Sequence, residues 1–351
     1  MDNQIQTSNA NSNDPWIEKY RPKQLIDIIS QDFIINMLKK CIISRNVPHL
    51  LMYGPSGIGK TSTIIACAND LYKEKKYTMT LELNASDDRG INVVRSKIKE
   101  FILNKNVFYD DDNKNLFKLV ILDEVDAMTN DAQASLRKII EKYTQNARFC
   151  IICNSIQKIN IALQSRCICL KFLLPKIEDV FFKIKNISIA ENVDITECGL
   201  MHIIKRSNGD IRKMINMLQS LTFSKKKITK IDVNIHFNYP QDEQIKLLIN
   251  SLINQSFIDN YNIILNYINT LNISFMNILM DVHNVLIDYI LNNQNCLFYN
   301  ILNVLTEIDV LHIFDNLRLI EINTHICSND SIQICAFIGI FKCRFNKYYL
   351  S

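Results

Sequence analysis

The glycine-rich segment Gly54–Thr61 has the spacing of a loop that binds phosphate groups. It reads Gly-Pro-Ser-Gly-Ile-Gly-Lys-Thr and fits the pattern G-x-x-x-x-G-K-[S/T] at every position. The chain has seven glycines, and three of them fall in this segment. Glycine allows positive φ angles and a close approach of the backbone, so that several N–H groups point at phosphate oxygens. The segment therefore predicts a site for a nucleoside triphosphate.

The lysine and the threonine of this segment have separate expected roles. Lys60 is expected to reach the β- and γ-phosphates, and the Thr61 hydroxyl to bind Mg²⁺. The motif requires a strand before it and a helix after it, which the apolar run His49–Tyr53 and the helical pattern Ser62–Tyr72 provide. The residues of this segment predicted to bind ATP are Gly54, Pro55, Ser56, Gly57, Ile58, Gly59, Lys60, Thr61 and Ser62.

A pair of acids follows an apolar run farther along the chain. Leu119–Leu122 predicts a buried strand, and Asp123 and Glu124 stand at its carboxyl end, where ligands bind in open α/β sheets. Asp123 is expected to hold Mg²⁺ through water, and Glu124 to activate the attacking water as a general base. GTPase switches generally position this water with glutamine. The glutamate therefore favours an ATPase, with Lys60 completing the catalytic set.

Two further polar residues fit around that centre, and each has a simpler alternative. Asn154 ends the apolar run Arg148–Cys153, where its amide can hydrogen-bond the γ-phosphate or the attacking water. Asparagine is also a common turn residue after a strand. Arg212 lies just after the helix-capping residue Asp210. It can reach the γ-phosphate from a second domain, or it can be an exposed arginine on a helix.

Short apolar runs alternate with longer amphipathic stretches from Trp16 to Phe172, a pattern typical of the α/β class. Because helices separate nearly continuous apolar runs, we expect a parallel five-stranded sheet covered on both faces. Pro175 marks a break before several short helices, and residues 241–350 have helical periodicity throughout. The predicted strands are His49–Tyr53, Thr78–Leu83, Lys118–Leu122, Arg148–Cys153 and Cys167–Phe172. The predicted domains are a disordered tail, a nucleotide-binding domain, a helical lid and an all-α domain, at residues 1–14, 15–173, 174–238 and 239–351.

Charge is distributed unevenly along the 351 residues. The net charge is +4, but residues 1–240 carry 35 Lys and Arg against 26 Asp and Glu, and residues 241–351 carry 5 against 10. A polyanion would therefore bind residues 1–240. The alternative is that the solvated helix faces of the two parts simply differ in charge. The chain starts with polar residues rather than a signal peptide and has no run of eighteen apolar residues. We therefore expect no membrane partner.

The eleven cysteines are expected to be reduced and buried in an intracellular protein. Four of them, Cys150, Cys153, Cys167 and Cys169, have a spacing that resembles a zinc site. However, Cys150 and Cys153 fall three positions apart within one predicted strand, so their side chains point to opposite faces. Four thiolates must converge on a zinc ion. Buried thiols are therefore the favoured interpretation.

Four features together resemble the AAA+ ATPases: the phosphate-binding loop, the strand-end acids, the strand-end asparagine and the helix start Gly209–Arg212. Within that superfamily the similarity narrows to the small subunits of eukaryotic replication factor C, the sliding-clamp loader. The segments that carry it are Trp16–Pro22, Leu83–Gly90 and Ser165–Cys167. Asp126–Asn130 further resembles one type among these small subunits. The resemblance implies an AAA+ domain with a helical lid, followed by an all-α collar that holds subunits together.

The resemblance also implies roles for individual residues. Asn154 and Arg212 would sense the γ-phosphate. Arg166 would act on ATP held by the neighbouring subunit, as an arginine finger that offsets the charge of the transition state. The residues implied at the adenine pocket are Ile17, Tyr20, Arg21 and Ile29.

The resemblance implies partners as well. These are the other replication factor C subunits in a heteropentamer, the sliding clamp (proliferating cell nuclear antigen) and primer-template DNA, all in the nucleus. Basic residues after the predicted strand Thr78–Leu83 would hold DNA phosphates, or they would form an ordinary solvated basic face. The predicted DNA contacts are Arg89, Arg95, Lys97 and Lys99.

Three functions compete at this point. The first is a motor subunit that couples ATP hydrolysis to opening and loading the clamp, which the combination of Lys60, Asp123 and Glu124 favours. The second is a nucleotide-binding scaffold subunit with little turnover of its own. The third is another AAA+ machine, such as a branch-migration helicase, which the segments Trp16–Pro22 and Ser165–Cys167 disfavour.

Overall fold

The computed structural model describes residues 14–85, 91–104, 117–224, 227–292, 306–326 and 329–349. The chain divides into two compact units, residues 1–227 and residues 228–351. The predicted tail 1–14 lies outside the described residues except for its last member.

The first unit contains a five-stranded parallel sheet, which confirms the predicted fold class. The sheet order is β2-β3-β4-β1-β5, and every neighbouring pair runs parallel. The predicted second strand began two residues too early, because Thr78 lies in the short helix Lys76–Met79. The strands are β1 (Leu50–Tyr53), β2 (Thr80–Asn84), β3 (Lys118–Asp123), β4 (Ala147–Cys153) and β5 (Ile168–Lys171).

Apolar side chains cover both faces of this sheet. Successive residues of a strand point to opposite faces, so Leu50 and Met52 of β1 enter one apolar cluster and Leu51 enters the other. In the same way Cys150 belongs to the first cluster and Cys153 to the second. These two thiols therefore lie on opposite sides of β4. Within the described ranges, no group of three or more His, Cys, Asp or Glu is placed to hold a metal ion.

Four of the described cysteines contradict the expectation of burial, because Cys169, Cys198, Cys335 and Cys343 are exposed. Cys167 is half-buried. Cys169 lies on β5, which is an edge strand of the sheet, so part of its surface has no neighbouring strand to cover it. Cys150 and Cys153 lie on β4, in the interior of the sheet, and burial raises the pKa of both thiols.

Helices flank the sheet and form the lid that follows it. Several of them begin at side-chain caps: the Thr129 hydroxyl accepts the Ala132 N–H, and the carboxylate of Asp210, the predicted cap, accepts the Lys213 N–H. The helices of this unit are α1 (Trp16–Lys19), α2 (Asp32–Ile43), α3 (Lys60–Tyr72), α4 (Lys76–Met79), α5 (Ile91–Leu103), α6 (Asn130–Tyr143), α7 (Ile161–Gln164), α8 (Ile177–Ala190), α9 (Glu197–Arg206) and α10 (Ile211–Leu221).

The second unit is helical over its described ranges, as the periodicity predicts. Its core is apolar, with Ile264 fully buried and Ile263 and Ile268 packed against it, whereas Leu271 is exposed. Of the helices in the described part of the chain, none has both the length and the apolar character that crossing a membrane requires. The helices are α11 (Lys230–His236), α12 (Asp242–Asn254), α13 (Phe257–Leu271), α14 (Phe275–Asn292), α15 (Glu307–Ile326) and α16 (Asp330–Tyr349).

Candidate nucleotide site

The glycine-rich segment connects β1 directly to α3, as its motif requires. Gly54, Gly57 and Gly59 have φ angles of 147°, 68° and 95°, all in the region that other residues rarely adopt. Helix α3 begins at Lys60, two residues earlier than predicted, so the loop ends at the helix N-terminus. Backbone N–H groups that lack intrahelical partners and the helix dipole both favour an anion at this end.

The Lys60 side chain is folded into the loop. Its ammonium donates hydrogen bonds to the carbonyl oxygens of Gly54 at 2.8 Å and Pro55 at 2.7 Å, and to Asn154 Oδ1 at 2.9 Å. A lysine ammonium has three N–H donors, and all three are used here. Burial lowers the pKa of Lys60, and the Asp123 carboxylate opposes this effect. A phosphate group bound in this loop would replace some of these oxygens as acceptors of the Lys60 hydrogen bonds. Its negative charge would also compensate the buried positive charge of the ammonium.

Thr61 and Asp123 form a pair of oxygen donors. The Thr61 hydroxyl donates to Asp123 Oδ2 at 2.6 Å, which joins the start of α3 to the end of β3. Mg²⁺ prefers oxygen ligands and is commonly bound by one or two protein groups together with substrate phosphates and water. A hydroxyl and a carboxylate side by side at a phosphate loop fit that requirement.

Glu124 has an unusual backbone conformation. It lies at φ 55° and ψ 38°, in the left-handed region, and its N–H donates to Asp123 Oδ1 at 2.8 Å. This conformation costs a residue with a side chain about 1–2 kcal/mol, and such strain is concentrated at functional sites. The Glu124 carboxylate is exposed and makes no hydrogen bond or ion pair within the described ranges. It is therefore available to a water molecule beside the phosphate loop.

The lid contacts the phosphate loop through the start of α10. The Ile211 N–H donates to the Gly57 carbonyl at 3.1 Å, and the Asp210 carboxylate packs against the Gly57 Cα. A Cβ at position 57 would lie 1.8 Å from Asp210 Oδ1. Arg212 follows on the same helix, with an exposed side chain that lines the same cavity as Lys60.

We expect Gly57→Ala to destabilise the protein more than Gly59→Ala does. Both positions have positive φ, which costs alanine about 1–2 kcal/mol. At Gly57 the new methyl group also displaces Asp210 and breaks the cap of α10, which costs about 1 kcal/mol more. At Gly59 the space that a Cβ would occupy is open, with nothing within 4 Å. Free energies of unfolding from denaturant titration check this, and equal values for the two variants would contradict the steric argument.

These residues surround one cavity of about 200 Å³ in the first unit. Gly54 and Pro55 do not line it, but their carbonyl oxygens accept from Lys60, which does. The predicted site residues that line the cavity are Ile17, Tyr20, Arg21, Ile29, Ser56, Gly57, Ile58, Gly59, Lys60, Thr61, Ser62, Asp123, Glu124, Asn154 and Arg212.

The Tyr20 side of the cavity is joined to the lid through a half-buried carboxylate, that of Glu191. The Tyr20 hydroxyl donates to Glu191 Oε1 at 2.5 Å, and Lys19 Nζ donates to the same oxygen at 2.6 Å. Burial raises the pKa of the Tyr20 phenol, and the bond to Glu191 adds to the effect. Glu191 follows α8, so these contacts join the N-terminal segment to the lid.

Sequence patterns missed several lining residues. Ile211 and Ile215 are one turn apart on α10, so helical periodicity places them on one face. No sequence pattern predicts that this face lines the nucleotide cavity. The missed lining residues are Glu18, Pro22, Asp27, Ile28, Cys153, Lys183, Ile211 and Ile215.

Arg166 is the predicted catalytic residue that lies away from this cavity. Its guanidinium donates to the Ala162 carbonyl at 2.7 Å and pairs with Glu141 of α6. Arg166 therefore does not line the cavity of its own chain in this arrangement, and its half-exposed side chain is accessible to another chain.

The three predicted DNA contacts that the structure describes, all on α5, do not share one helix face. Arg95 and Lys97 are exposed and Lys99 is half-buried on α5. Residues four positions apart share a helix face and residues two apart do not, so Arg95 and Lys99 lie together and Lys97 points elsewhere. Arg89 lies outside the described residues.

Sequence comparisons match both parts of the first unit to known families. Residues 50–173 match the ATPase family associated with various cellular activities (AAA), and residues 183–223 match the RCF1/5-like AAA+ ATPase lid domain. The chain is 39% identical to replication factor C subunit 5 of Mus musculus over 331 residues, covering 93% of this chain and 91% of the relative. It is 34% identical to subunit 3 of Saccharomyces cerevisiae over 343 residues, covering 96% of both chains.

The chain belongs to the replication factor C small-subunit family. The similarity to subunit 5 of animals and subunit 3 of yeast confirms the subunit type that Asp126–Asn130 resembles. Replication factor C small subunits are AAA+ ATPase subunits of the clamp loader.

Solved structures confirm the AAA+ fold independently of the family assignment. The RuvB Holliday junction branch migration motor of Thermotoga maritima is similar at a TM-score of 0.52, covering 75% of this chain and 91% of the motor. At 18% identity this likeness shows the fold alone. The similarity to replication factor C over nearly the whole chain decides against the branch-migration alternative.

Proposed function

We propose that this subunit binds ATP with Mg²⁺ and hydrolyses it in the assembled loader, which couples hydrolysis to opening the sliding clamp and loading it onto primer-template DNA. The observation that carries the proposal is one cavity lined by Lys60, Thr61, Asp123, Glu124 and Asn154. A scaffold that only binds nucleotide needs the lysine and the threonine, but it does not need a free carboxylate beside them.

Each group has one proposed task in hydrolysis. Lys60 and the loop N–H groups hold the phosphates, and Thr61 and Asp123 hold Mg²⁺, which neutralises phosphate charge when it is bound. Glu124 takes a proton from the attacking water, since its carboxylate has no partner among the described side chains and is exposed. Asn154 lies between the acids and Lys60, because its Oδ1 accepts from Lys60 and its N–H donates to Asp126.

The contact between the lid and the phosphate loop depends on the bound nucleotide in this proposal. Arg212 reaches the cavity from α10, whose first N–H donates to the phosphate loop. A γ-phosphate that binds both Lys60 and Arg212 therefore joins the loop to the lid, and its loss on hydrolysis breaks that link. We propose that this change is transmitted to neighbouring subunits.

The remaining proposed partners follow from family membership and charge. Arg166 serves the ATP of a neighbouring subunit in a heteropentamer of replication factor C subunits, located in the nucleus. The helices of the second unit form the collar that joins subunits. The clamp is proliferating cell nuclear antigen, and Arg95, Lys97 and Lys99, with Arg89, contact the DNA backbone without reading its sequence.

Replacing Arg166 with alanine in the reconstituted loader tests this proposal. We expect ATP hydrolysis at the neighbouring site to fall by about 10³-fold or more, because the finger offsets transition-state charge, and ATP-dependent clamp loading on primed DNA to fall with it. Retention of labelled clamp on circular primed DNA measures loading, and native mass spectrometry verifies that the pentamer forms. Lys138→Ala, an exposed lysine on α6, is the matched control. Loading that is unchanged in the Arg166 variant would remove the trans role from the proposal.

A further inference from the structure

Arg166 belongs to a surface cluster of three charged side chains. Glu141 Oε1 accepts from Arg137 Nε at 3.0 Å and also pairs with the Arg166 guanidinium. Arg137 and Glu141 lie four residues apart on α6, one helical turn, whereas Arg166 follows α7. A second anchor holds Arg166, since its other terminal nitrogen donates to the Ala162 carbonyl at 2.7 Å.

Two anchors fix the plane of the guanidinium. A guanidinium has five N–H donors in a rigid fork, and the two contacts use one hydrogen on each terminal nitrogen. Three N–H donors remain, and they are the ones that can meet a phosphate. The arginine is therefore held in one orientation while it keeps donors for a ligand outside the chain.

The charges of the cluster agree with this arrangement. A γ-phosphate is attracted by the positive charge of Arg166. A single carboxylate paired with Arg166 would cancel that charge. Arg137 supplies a second positive charge, so the three side chains together carry a net +1. Glu141 stays ionised, because the hydrogen bond from Arg137 lowers the pKa of its carboxyl.

Stability does not account for the cluster. The three side chains are 32–44% exposed, and exposed ion pairs add little to the free energy of folding because solvent screens them. Holding a long arginine in one rotamer is itself unfavourable in entropy. Such an arrangement is useful where the ordered arginine is needed for another contact.

We infer that Glu141 is a positioning residue, which holds the Arg166 guanidinium in the orientation that reaches ATP on the neighbouring subunit, while Arg137 preserves the positive charge of that group. The inference rests on the trans role of Arg166 in the proposed function. Glu141 touches no reacting atom in this scheme. It acts before the reaction, by removing rotamer freedom that the transition state would otherwise have to remove.

The test is a double-mutant cycle in the reconstituted pentamer, with Glu141→Ala, Arg166→Ala and the double variant. We expect Glu141→Ala to lower kcat about 10-fold at the one site that Arg166 serves, seen as a slow fraction of a single-turnover trace, with KM unchanged, because an unheld arginine must be ordered in the transition state. Glu141→Gln, which keeps an acceptor without the charge, should lose less. The double variant should be no slower than Arg166→Ala alone. Lys138→Ala on the same helix should match the unmodified complex.

Each other outcome has a definite meaning. Unchanged kcat in both Glu141 variants, with a slow Arg166→Ala complex, would overturn the positioning role and leave the proposed function intact. A faster Glu141→Ala complex would show that Glu141 restrains Arg166 instead, which also overturns the inference. A double variant slower than Arg166→Ala would show that Glu141 acts by another route. If Arg166→Ala itself turns over normally, the trans role fails, and the inference fails with it.

Discussion

Lys60→Ala is expected to weaken ATP binding by about 10- to 100-fold, because it removes charge-assisted hydrogen bonds to phosphate. The change also leaves the Gly54 and Pro55 carbonyls and the Asn154 amide without their shared donor. Hydrolysis at this site should fall below detection even at saturating ATP, because the ammonium also offsets charge on the transferring phosphate in the transition state. Equilibrium titration with a fluorescent ATP analogue measures the affinity, and circular dichroism checks that the variant is folded.

Lys138→Ala is the matched control for the loss of a positive charge. Lys138 is exposed on α6 and does not line the cavity, so its replacement should leave the affinity for ATP unchanged. An affinity for ATP that survives in Lys60→Ala would contradict the assignment of the phosphate loop. Equal weakening by both variants would instead point to a general electrostatic effect.

Glu124→Gln is expected to slow hydrolysis at this subunit by about 10²–10⁴-fold while ATP binding is retained, because glutamine cannot accept the proton of the attacking water. In the proposed pentamer, the other subunits keep their own sites. In a single-turnover experiment with clamp and primed DNA, the amplitude of the fast phase of ATP hydrolysis should therefore fall by the share of one site. Clamp release after loading should slow as well, because the lid keeps its contact with the γ-phosphate.

The control for this variant is Glu82→Gln, which neutralises an exposed carboxylate on the edge strand β2. It should leave both the amplitude and the rate of hydrolysis unchanged. A Glu124→Gln complex with normal amplitude and normal loading would favour the scaffold function, in which this subunit binds ATP and turns over little. The variant therefore separates the two functions that the nucleotide cavity alone leaves open.

Several features of this protein were determined by contiguous sequence. The phosphate loop, the acids after β3 and the cap at Asp210 all depend on the types and spacing of residues within a few positions. Local geometry then fixes how such residues can be arranged, because a strand alternates its faces and a helix starts where its first N–H groups find acceptors. The parallel sheet followed similarly from near-continuous apolar runs between helices.

Other features were decided only by the tertiary structure. No local pattern predicts that Asp210 packs against Gly57, that Glu191 holds Tyr20, or that Glu141 pairs with Arg166. Cys169 is exposed although its neighbours in sequence are apolar, because β5 is an edge strand. The physical reason is shared: each of these contacts or exposures depends on which elements become neighbours in space. The sequence predicted the groups that are proposed to act on phosphate, and packing determined which side chains contact those groups.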